Sequence, residues 1–306
     1  MAWRDKAIEQ LAAQPGHGYR RGARPMVEPT ALAAIALSTA GRPDAAAPAL
    51  EWLASAQSAN GSLGIDADTR EPCWPTGWAF LAWQTALRCG TANAAKWSLA
   101  ASRATDWILN ARGRPVAQPT TADEDRRIYG HDTTLLGWPW VEGTHSWVEP
   151  TAINLLGLRS AKQSEHARFR EAVKLLLDRQ LPDGGWNFGN TTVFGRVLRP
   201  QVQSTGLALA ALGGEPVRAK VQRSVDWLSS RLSARVTAVS LSYALLGLAA
   251  HGVRPPDADR WLRAAAEQTL AGDGSPYNLA LLILAATRPW GRLATCLEAT
   301  GNDVAG

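Results

Sequence analysis

Cysteine, tyrosine, phenylalanine and methionine are all scarce in this chain of 306 residues, which has 3 Cys, 4 Tyr, 4 Phe and 2 Met. The three cysteines (Cys73, Cys89 and Cys296) have no C-x-x-C spacing, which argues against a disulfide framework and against a zinc site built from cysteine. The chain also has no large excess of either sign of charge, because 32 basic residues are balanced by 27 acidic ones. A net charge of +5 is too small to indicate the concentrated basic face of a nucleic-acid binder.

Long apolar runs are missing as well. The longest uncharged one, around residues 279–286, is far shorter than the roughly 20 residues that a membrane-spanning helix needs. The N-terminus is charged from residue 4 onward and has no apolar stretch typical of a signal peptide. We therefore expect a cytoplasmic protein that meets a membrane, if at all, only at its surface.

Tryptophan, in contrast, is abundant, with 14 residues. Hydrophobic residues make up 46% of the chain and charged residues 19%, so there is enough apolar material for a core and extensive disorder is excluded.

One kind of segment recurs six times: a Thr or Ser followed by small and aliphatic residues with almost no charge. A helix that is apolar on every side must be buried on every side. Proline stands just ahead of the Thr in three copies, which fits the first turn of a helix. The six copies begin at Glu28, Trp74, Glu149, Gln203, Val236 and Ser275.

Six amphipathic segments alternate with the apolar ones, at residues 2–13, 44–58, 96–111, 165–180, 217–233 and 257–270. Four of them carry a tryptophan at a matching place, which we expect to fill the gap between two layers of helices: Trp52, Trp107, Trp227 and Trp261. The alternation predicts an all-α fold, an α6/α6 toroid with six inner and six outer helices.

We expect one toroid domain over residues 1–306. Residues 112–146 form the one long segment outside the repeats, and long irregular segments are often functional, so we predict an insertion that acts as a lid over the cavity. Residues 288–306 are expected to form a C-terminal tail.

A third recurrence lies in the connections. Gln180 to Trp186 has the pattern Q-x-x-D-G-x-W, with degenerate copies at Gln57 to Leu63 and at Asp273 to Ser275. Glycine permits the turn, the carboxylate can cap a helix, and Gln and Trp can tie adjacent helices together. Together with the alternating helices, this segment resembles the QW-type motif of the squalene–hopene cyclase and protein prenyltransferase β-subunit superfamily. The resemblance implies an active cavity inside the toroid.

Class II terpene cyclases of that superfamily use an aspartic acid in a D-x-D-D-T-A or D-C-T-A segment as the proton donor. This chain has no such segment, and the closest alignments place Glu149, and after it Glu28, at the position of the acid. An apolar cavity would raise the pKa of Glu149 and keep it protonated as a general acid. The alternative is a first-turn glutamate favoured by the helix dipole, and the repetition of V-E-P-T-A at both places favours that alternative.

Two acidic clusters, Asp66 to Asp68 and Asp123 to Asp125, have a spacing that can hold Mg²⁺ on a diphosphate. Both lie in polar stretches, so we expect their carboxylates to be solvated. The zinc site of prenyltransferases needs an Asp-x-Cys pair, and the nearest match here is Glu71 to Cys73. The five histidines have no paired ligand spacing. We predict no metal site and no cofactor, with Mg²⁺ expected only if the substrate is a diphosphate.

When the repeats are aligned on the threonine, a basic residue stands six positions ahead of it in four of them: Arg24, Arg70, His145 and Arg199. In a toroid these groups ring the mouth, where helix N-termini also favour anions. They predict a site for a diphosphate or another acidic head group. The alternative is that each pairs with a neighbouring acid.

Aromatic residues on the inner helices or their entrance loops could stabilise carbocations by cation–π attraction or line a pocket for an apolar ligand. They are Trp74, Trp78, Trp83, Trp138, Trp140, Trp147, Tyr243 and Tyr277.

The leading hypothesis is therefore a terpene-cyclase-like enzyme that starts carbocation cyclisation of an apolar isoprenoid with an acid. One alternative is a non-catalytic toroid that binds an isoprenoid or a protein, and a second is a prenyltransferase-like subunit.

Overall fold

The computed structural model describes residues 2–90, 93–115 and 121–287, and within these ranges the chain folds into thirteen helices and one two-stranded sheet. The helices are α1 (Trp3–Ala12), α2 (Val27–Thr39), α3 (Pro43–Ala56), α4 (Pro75–Cys89), α5 (Ala94–Asn110), α6 (Ala122–Ile128), α7 (Val148–Ser160), α8 (Ala167–Asp178), α9 (Val202–Leu212), α10 (Arg218–Arg231), α11 (Ala238–Ala250), α12 (Ala258–Ala271) and α13 (Pro276–Thr287). A short antiparallel hairpin joins β1 (Thr192–Val193) to β2 (Arg196–Val197).

The six apolar repeats become six inner helices, namely α2, α4, α7, α9, α11 and α13, and most of their residues are buried. Each of these helices packs against the next, and α13 returns to pack against α2, so the ring closes. The amphipathic helices pack on the outside, for example α3 on α2 and α12 on α13. This arrangement confirms the predicted all-α toroid.

In α2, α4, α7 and α9 the repeat threonine fastens the inner helix to the loop ahead of it. Thr30 Oγ1 accepts the backbone N–H of His17 at 2.9 Å and donates to the carbonyl of the same residue at 3.2 Å. Thr76 makes the same two bonds with Leu63, at 2.9 and 3.1 Å. One hydroxyl thus satisfies both polar groups of a buried loop residue, and the loop is held against the first turn of the helix.

Glutamines at the ends of outer helices reach the next outer helix. Gln180 Nε2 donates to Ser224 Oγ in α10 at 2.7 Å, and Gln57 Nε2 donates to the carbonyl of Ala100 in α5 at 2.9 Å. Gly185, with φ +82, turns the chain after Gln180 in the left-handed region that glycine tolerates. These bonds tie neighbouring outer helices together.

The four outer-helix tryptophans are half-buried and pack against the core. That they fill the gap between the two layers of helices stays a prediction. Helix α6 and residues 129–146 belong to the predicted insertion, whose role as a lid stays a prediction. The predicted tail, residues 288–306, lies outside the described residues. None of the described helices has both the length and the apolar composition required to cross a bilayer.

Candidate functional site

The candidate site is built from one position of the repeat. Two residues ahead of the repeat threonine stand Glu28, Trp74, Glu149 and Gln203, at or beside the beginning of α2, α4, α7 and α9. Closure of the ring brings these side chains close together: Trp74 contacts the Glu28 carboxyl group, Gln203 contacts that of Glu149, and the charges of the two glutamates interact.

Glu149 lies in the first turn of α7 and is only 5% exposed. Its Oε1 accepts a hydrogen bond from Ser204 Oγ at 2.8 Å and a longer one from Gln203 Nε2 at 3.4 Å. Burial raises the pKa of this carboxyl group, because it penalises the charged form, and the two hydrogen bonds offset part of that rise.

Glu28 is half-buried in the first turn of α2, and the Tyr19 hydroxyl donates to its Oε2 at 2.5 Å. Burial raises the pKa of Glu28 to about 7, and the negative charge of Glu149 acts in the same direction. The hydrogen bonds from Tyr19 and from the indoles of Trp74 and Trp78 oppose the shift. A carboxyl group with this pKa can exchange a proton near neutral pH.

Aromatic rings extend from Glu28 into the ring of inner helices. Tyr277, at the beginning of α13, packs edge-on against Tyr19 with ring centroids 5.0 Å apart. Its hydroxyl group is hydrogen-bonded to that of Tyr243 in α11, and the Tyr243 ring lies 6.4 Å from Trp78. Burial raises the pKa of both Tyr243 and Tyr277, so their hydroxyls stay neutral. We call Tyr19, Glu28, Trp74, Trp78, Glu149, Gln203, Ser204, Tyr243 and Tyr277 the carboxylate site.

Away from the carboxylate site there is a cavity, which we call the side cleft, with a volume of 590 Å³ between the insertion and the hairpin. Its lining includes His145 of the insertion, Trp147 directly before α7, and Val193 and Phe194 of the hairpin.

The structure places the predicted aromatic residues in different parts of the molecule. Trp140 packs edge-on against Trp74, with centroids 5.2 Å apart, and stays near the carboxylate site. Trp83 and Trp138 are buried instead, and their indoles donate to carbonyls of the outer helices α3 and α5. Trp147 lies in the side cleft. The structure does not bring Trp83 or Trp138 to the carboxylate site.

The four predicted basic residues are exposed. Arg24 forms an ion pair with Asp66 at 2.5 Å, so for this residue the alternative of a neighbouring acid is the one observed. Arg70 donates to a carbonyl of its own loop, and His145 lines the side cleft. Arg199 follows the hairpin. They do not form one common site.

The expectation that Asp66 is solvated is wrong, because its side chain is only 3% exposed. Its Oδ1 accepts the backbone N–H groups of Asp68 and Thr69, and these bonds, with the Thr69 amide first, lower its pKa. Asp66 thus shapes its loop. Asp123 and Glu124 in α6 are exposed. In the described parts of the chain, no three His, Cys, Asp or Glu side chains are grouped so that they could hold a metal ion.

Sequence reasoning missed Tyr19, Gln203 and Ser204. Gln203 occupies the same repeat position as the two glutamates, so the alignment of the repeats could have predicted that it lies at the site. Tyr19 lies in a loop outside the repeats, and no pattern in the sequence marks it.

No protein-family model matches the sequence, and no curated protein matches it. Among solved structures, the chain is similar to a protein from Actinoplanes, with 16% identity and a TM-score of 0.55 over 95% of this chain and 99% of that one. It is also similar to a variant of the type II terpene cyclase MstE from Scytonema in complex with merosterolic acid A, with 14% identity and a TM-score of 0.56 over 94% and 97%. A third similar structure is an alpha-amylase from Clostridium perfringens, with 9% identity and a TM-score of 0.59 over 93% and 96%.

At these identities the likeness shows the fold alone. A cyclase and an amylase share the toroid, so the argument for a function depends on the side chains of the carboxylate site.

Proposed function

We propose that the protein is a terpene-cyclase-like enzyme that starts cyclisation of an apolar isoprenoid by protonating one of its double bonds. The observation that carries this proposal is the carboxylate site, where an acid with a pKa of about 7 stands among aromatic rings at the beginning of the inner helices. A strongly raised pKa is typical of catalytic acids.

Glu28 is the proton donor in this proposal. Its proton passes to a carbon of the double bond, the π electrons form the new C–H bond, and a carbocation and the Glu28 carboxylate remain. Hydrogen bonds from Tyr19, Trp74 and Trp78 stabilise that carboxylate, which makes the acid stronger when the proton leaves. Tyr19 is 36% exposed and offers a path by which solvent restores the proton.

Glu149 is the charged partner in this proposal. Burial raises its pKa, the hydrogen bonds from Ser204 and Gln203 offset part of that rise, and its negative charge raises the pKa of Glu28. The sequence alone ranks Glu149 first as the acid, whereas the pKa of about 7 at Glu28 favours Glu28, and the variants below distinguish the two.

The rings of Trp78, Tyr243 and Tyr277 would face the cation that forms next to Glu28. Each aromatic face contributes on the order of 0.5–2 kcal/mol to a nearby cation, and neutral tyrosines avoid a stronger ion pair that would trap it. Another solved structure of MstE contains geranylgeranyl dihydroxybenzoate as substrate, which supports including prenylated aromatic acids among the compounds tested.

The test is incubation with prenyl diphosphates, squalene and a geranylgeranylated aromatic acid, with products identified by mass spectrometry. We expect a cyclised product from the wild type, a loss of at least about a hundred-fold in rate for Glu28→Gln, and a smaller loss for Glu149→Gln. Glu267→Gln, on the exposed side of α12, is the matched control. Binding without conversion in the wild type would favour the non-catalytic toroid, and a larger loss in Glu149→Gln would reverse the two roles.

A second candidate function is glycoside hydrolysis, because that reaction also uses two carboxyl groups on either side of the bond that is cleaved. The pair Glu28 and Glu149 favours it, and the amylase with the same fold makes starch and malto-oligosaccharides the first substrates to test. Release of reducing sugar that disappears in both Gln variants would replace the cyclase proposal.

A further inference from the structure

The side cleft has the size of a small-molecule site. Its volume of 590 Å³ lies within the roughly 300–1,000 Å³ that such sites occupy. None of the residues that form the carboxylate site lines it in the described structure, so the side cleft is a separate place on the molecule.

One part of the cleft wall is basic. Arg114 and His145 lie side by side there, joined by a 3.0 Å contact between His145 Nδ1 and the Arg114 carbonyl, and both side chains are exposed. Arg179, which is 6% exposed, lies deeper, where its guanidinium donates to the Gly189 carbonyl at 3.2 Å and stands 3.8 Å from Asp178.

None of the described residues that line the cleft is acidic, and no described side chain forms an ion pair with Arg114. Arg179 is partly neutralised by Asp178, so Arg114 supplies most of the available positive charge.

Another part of the wall is apolar and belongs to the hairpin. Phe194 is 101% exposed, and Val193 beside it is 37% exposed. Phe194 has a φ of +48, as the two-residue turn that joins β1 to β2 requires. The turn therefore presents a fully exposed aromatic side chain at the edge of the cavity.

From this combination we propose that the side cleft binds an amphiphile that has an anionic head group and a single alkyl chain. The head group lies against Arg114 and His145, and the chain lies along Trp147, Val193 and Phe194. Charge complementarity selects the head group, and the exposed apolar wall selects the chain, since burying it removes apolar surface from water. The site does not depend on the proposed function.

The experiment measures the binding of decyl phosphate and decanoate to the full chain by isothermal titration calorimetry. Saturated chains cannot be protonated or cyclised, so the measurement is independent of catalysis. Two further probes serve as controls. Decanol lacks the anionic head group, and inorganic phosphate lacks the alkyl chain. We expect one site for at least one of the two anionic amphiphiles, and at least about ten-fold weaker binding of decanol and of phosphate, because each lacks half of the contacts.

Three exposed variants locate the ligand. Arg114→Gln should weaken binding by about ten-fold through loss of a charge-assisted contact, and Phe194→Ser should weaken it several-fold through loss of apolar contact. Arg196→Gln removes an exposed arginine of the same hairpin that does not line the cleft and should leave the affinity unchanged, as should Glu28→Gln.

The proposal is overturned if neither amphiphile binds, if inorganic phosphate or decanol binds as tightly as they do, or if Arg114→Gln and Arg196→Gln have equal effects. Loss of binding in Glu28→Gln would move the ligand to the carboxylate site and also overturn it. None of these outcomes bears on whether the carboxylate site is catalytic, and a failure to convert isoprenoids would leave the binding result intact.

Discussion

The pKa of Glu28 results from effects that act in opposite directions. Burial and the charge of Glu149 disfavour its carboxylate, whereas the Tyr19 hydroxyl and two indoles favour it. Burial is the largest of these effects, and the pKa settles at about 7, well above the ordinary value of 4.5. Proton binding at the Glu28 carboxyl group is therefore coupled to folding.

This linkage has a definite sign. Between pH 4.5 and about 7 the folded chain binds more protons at Glu28 than the unfolded chain, so the contribution of Glu28 to stability falls as the pH rises through that window. Glutamine cannot ionise, and we expect Glu28→Gln to raise the free energy of unfolding at pH 8 by about 1–3 kcal/mol relative to the wild type, with no gain at pH 4. Urea denaturation at the two pH values measures it. An equal effect at both values would contradict the raised pKa, and Glu267→Gln should show none.

At the scale of the elements, the contact between α9 and α11 depends on two glycines. A Cβ atom on Gly206 would stand 2.4 Å from the Tyr243 carbonyl oxygen, and one on Gly247 would stand 2.2 Å from the Gly206 carbonyl oxygen. Neither backbone can move aside without moving its helix. The two inner helices can therefore approach closely only because these positions have no side chain, and Tyr243 of the carboxylate site is placed by that approach.

Gly206→Ala tests this contact. Alanine in a helix normally stabilises by roughly 0.5–1 kcal/mol relative to glycine, but here we expect a net loss of about 1–3 kcal/mol from overpacking, measured by urea denaturation. Gly157→Ala in α7 is the matched comparison, because its Cβ would meet the Phe80 ring at 2.6 Å, a contact with a side chain and not with the backbone of a neighbouring helix. If both substitutions cost the same, backbone contact between α9 and α11 is not what limits their separation.

The whole molecule is a ring that closes between distant parts of the chain. Ser275 Oγ donates to the Tyr19 carbonyl at 2.6 Å, and Gln10 Nε2 donates to the Gly274 carbonyl at 2.5 Å. These bonds join segments that are 256 and 264 residues apart, and α13 packs against α2 beside them. Closure also holds the loop that carries Tyr19 next to Glu28.

Because every inner helix packs against two neighbours, we expect the ring to unfold as one unit. Ser275→Ala should lower the free energy of unfolding by about 1 kcal/mol, with the same midpoint shift by far-UV circular dichroism and by tryptophan fluorescence. Ser230→Ala, which removes a bond to the carbonyl of Trp227 within α10, should have a much smaller effect. Separate transitions by the two probes would show that the ring opens before its helices melt.

The sequence contained most of the fold, because burial on all sides or on one side of a helix is a local pattern of side chains. The six inner and six outer helices begin and end within a few residues of the predicted segments, as α7 (Val148–Ser160) shows against the repeat that begins at Glu149. The repeat also marked Glu28 and Glu149. Their positions in the first turns follow from the Thr and Pro beside them, so both candidates were readable from sequence alone.

The neighbours of those two glutamates were decided only by the tertiary structure. Tyr19 donates a hydrogen bond to Glu28 from a loop outside the repeats. The indole of Trp138 is buried and bonds to a carbonyl of α5, and Arg24 forms an ion pair with Asp66. Each of these outcomes depends on how loops from different repeats meet when the ring closes. Local periodicity determines which side of a helix is buried, but the charge state of Glu28 depends on groups that ring closure brings together.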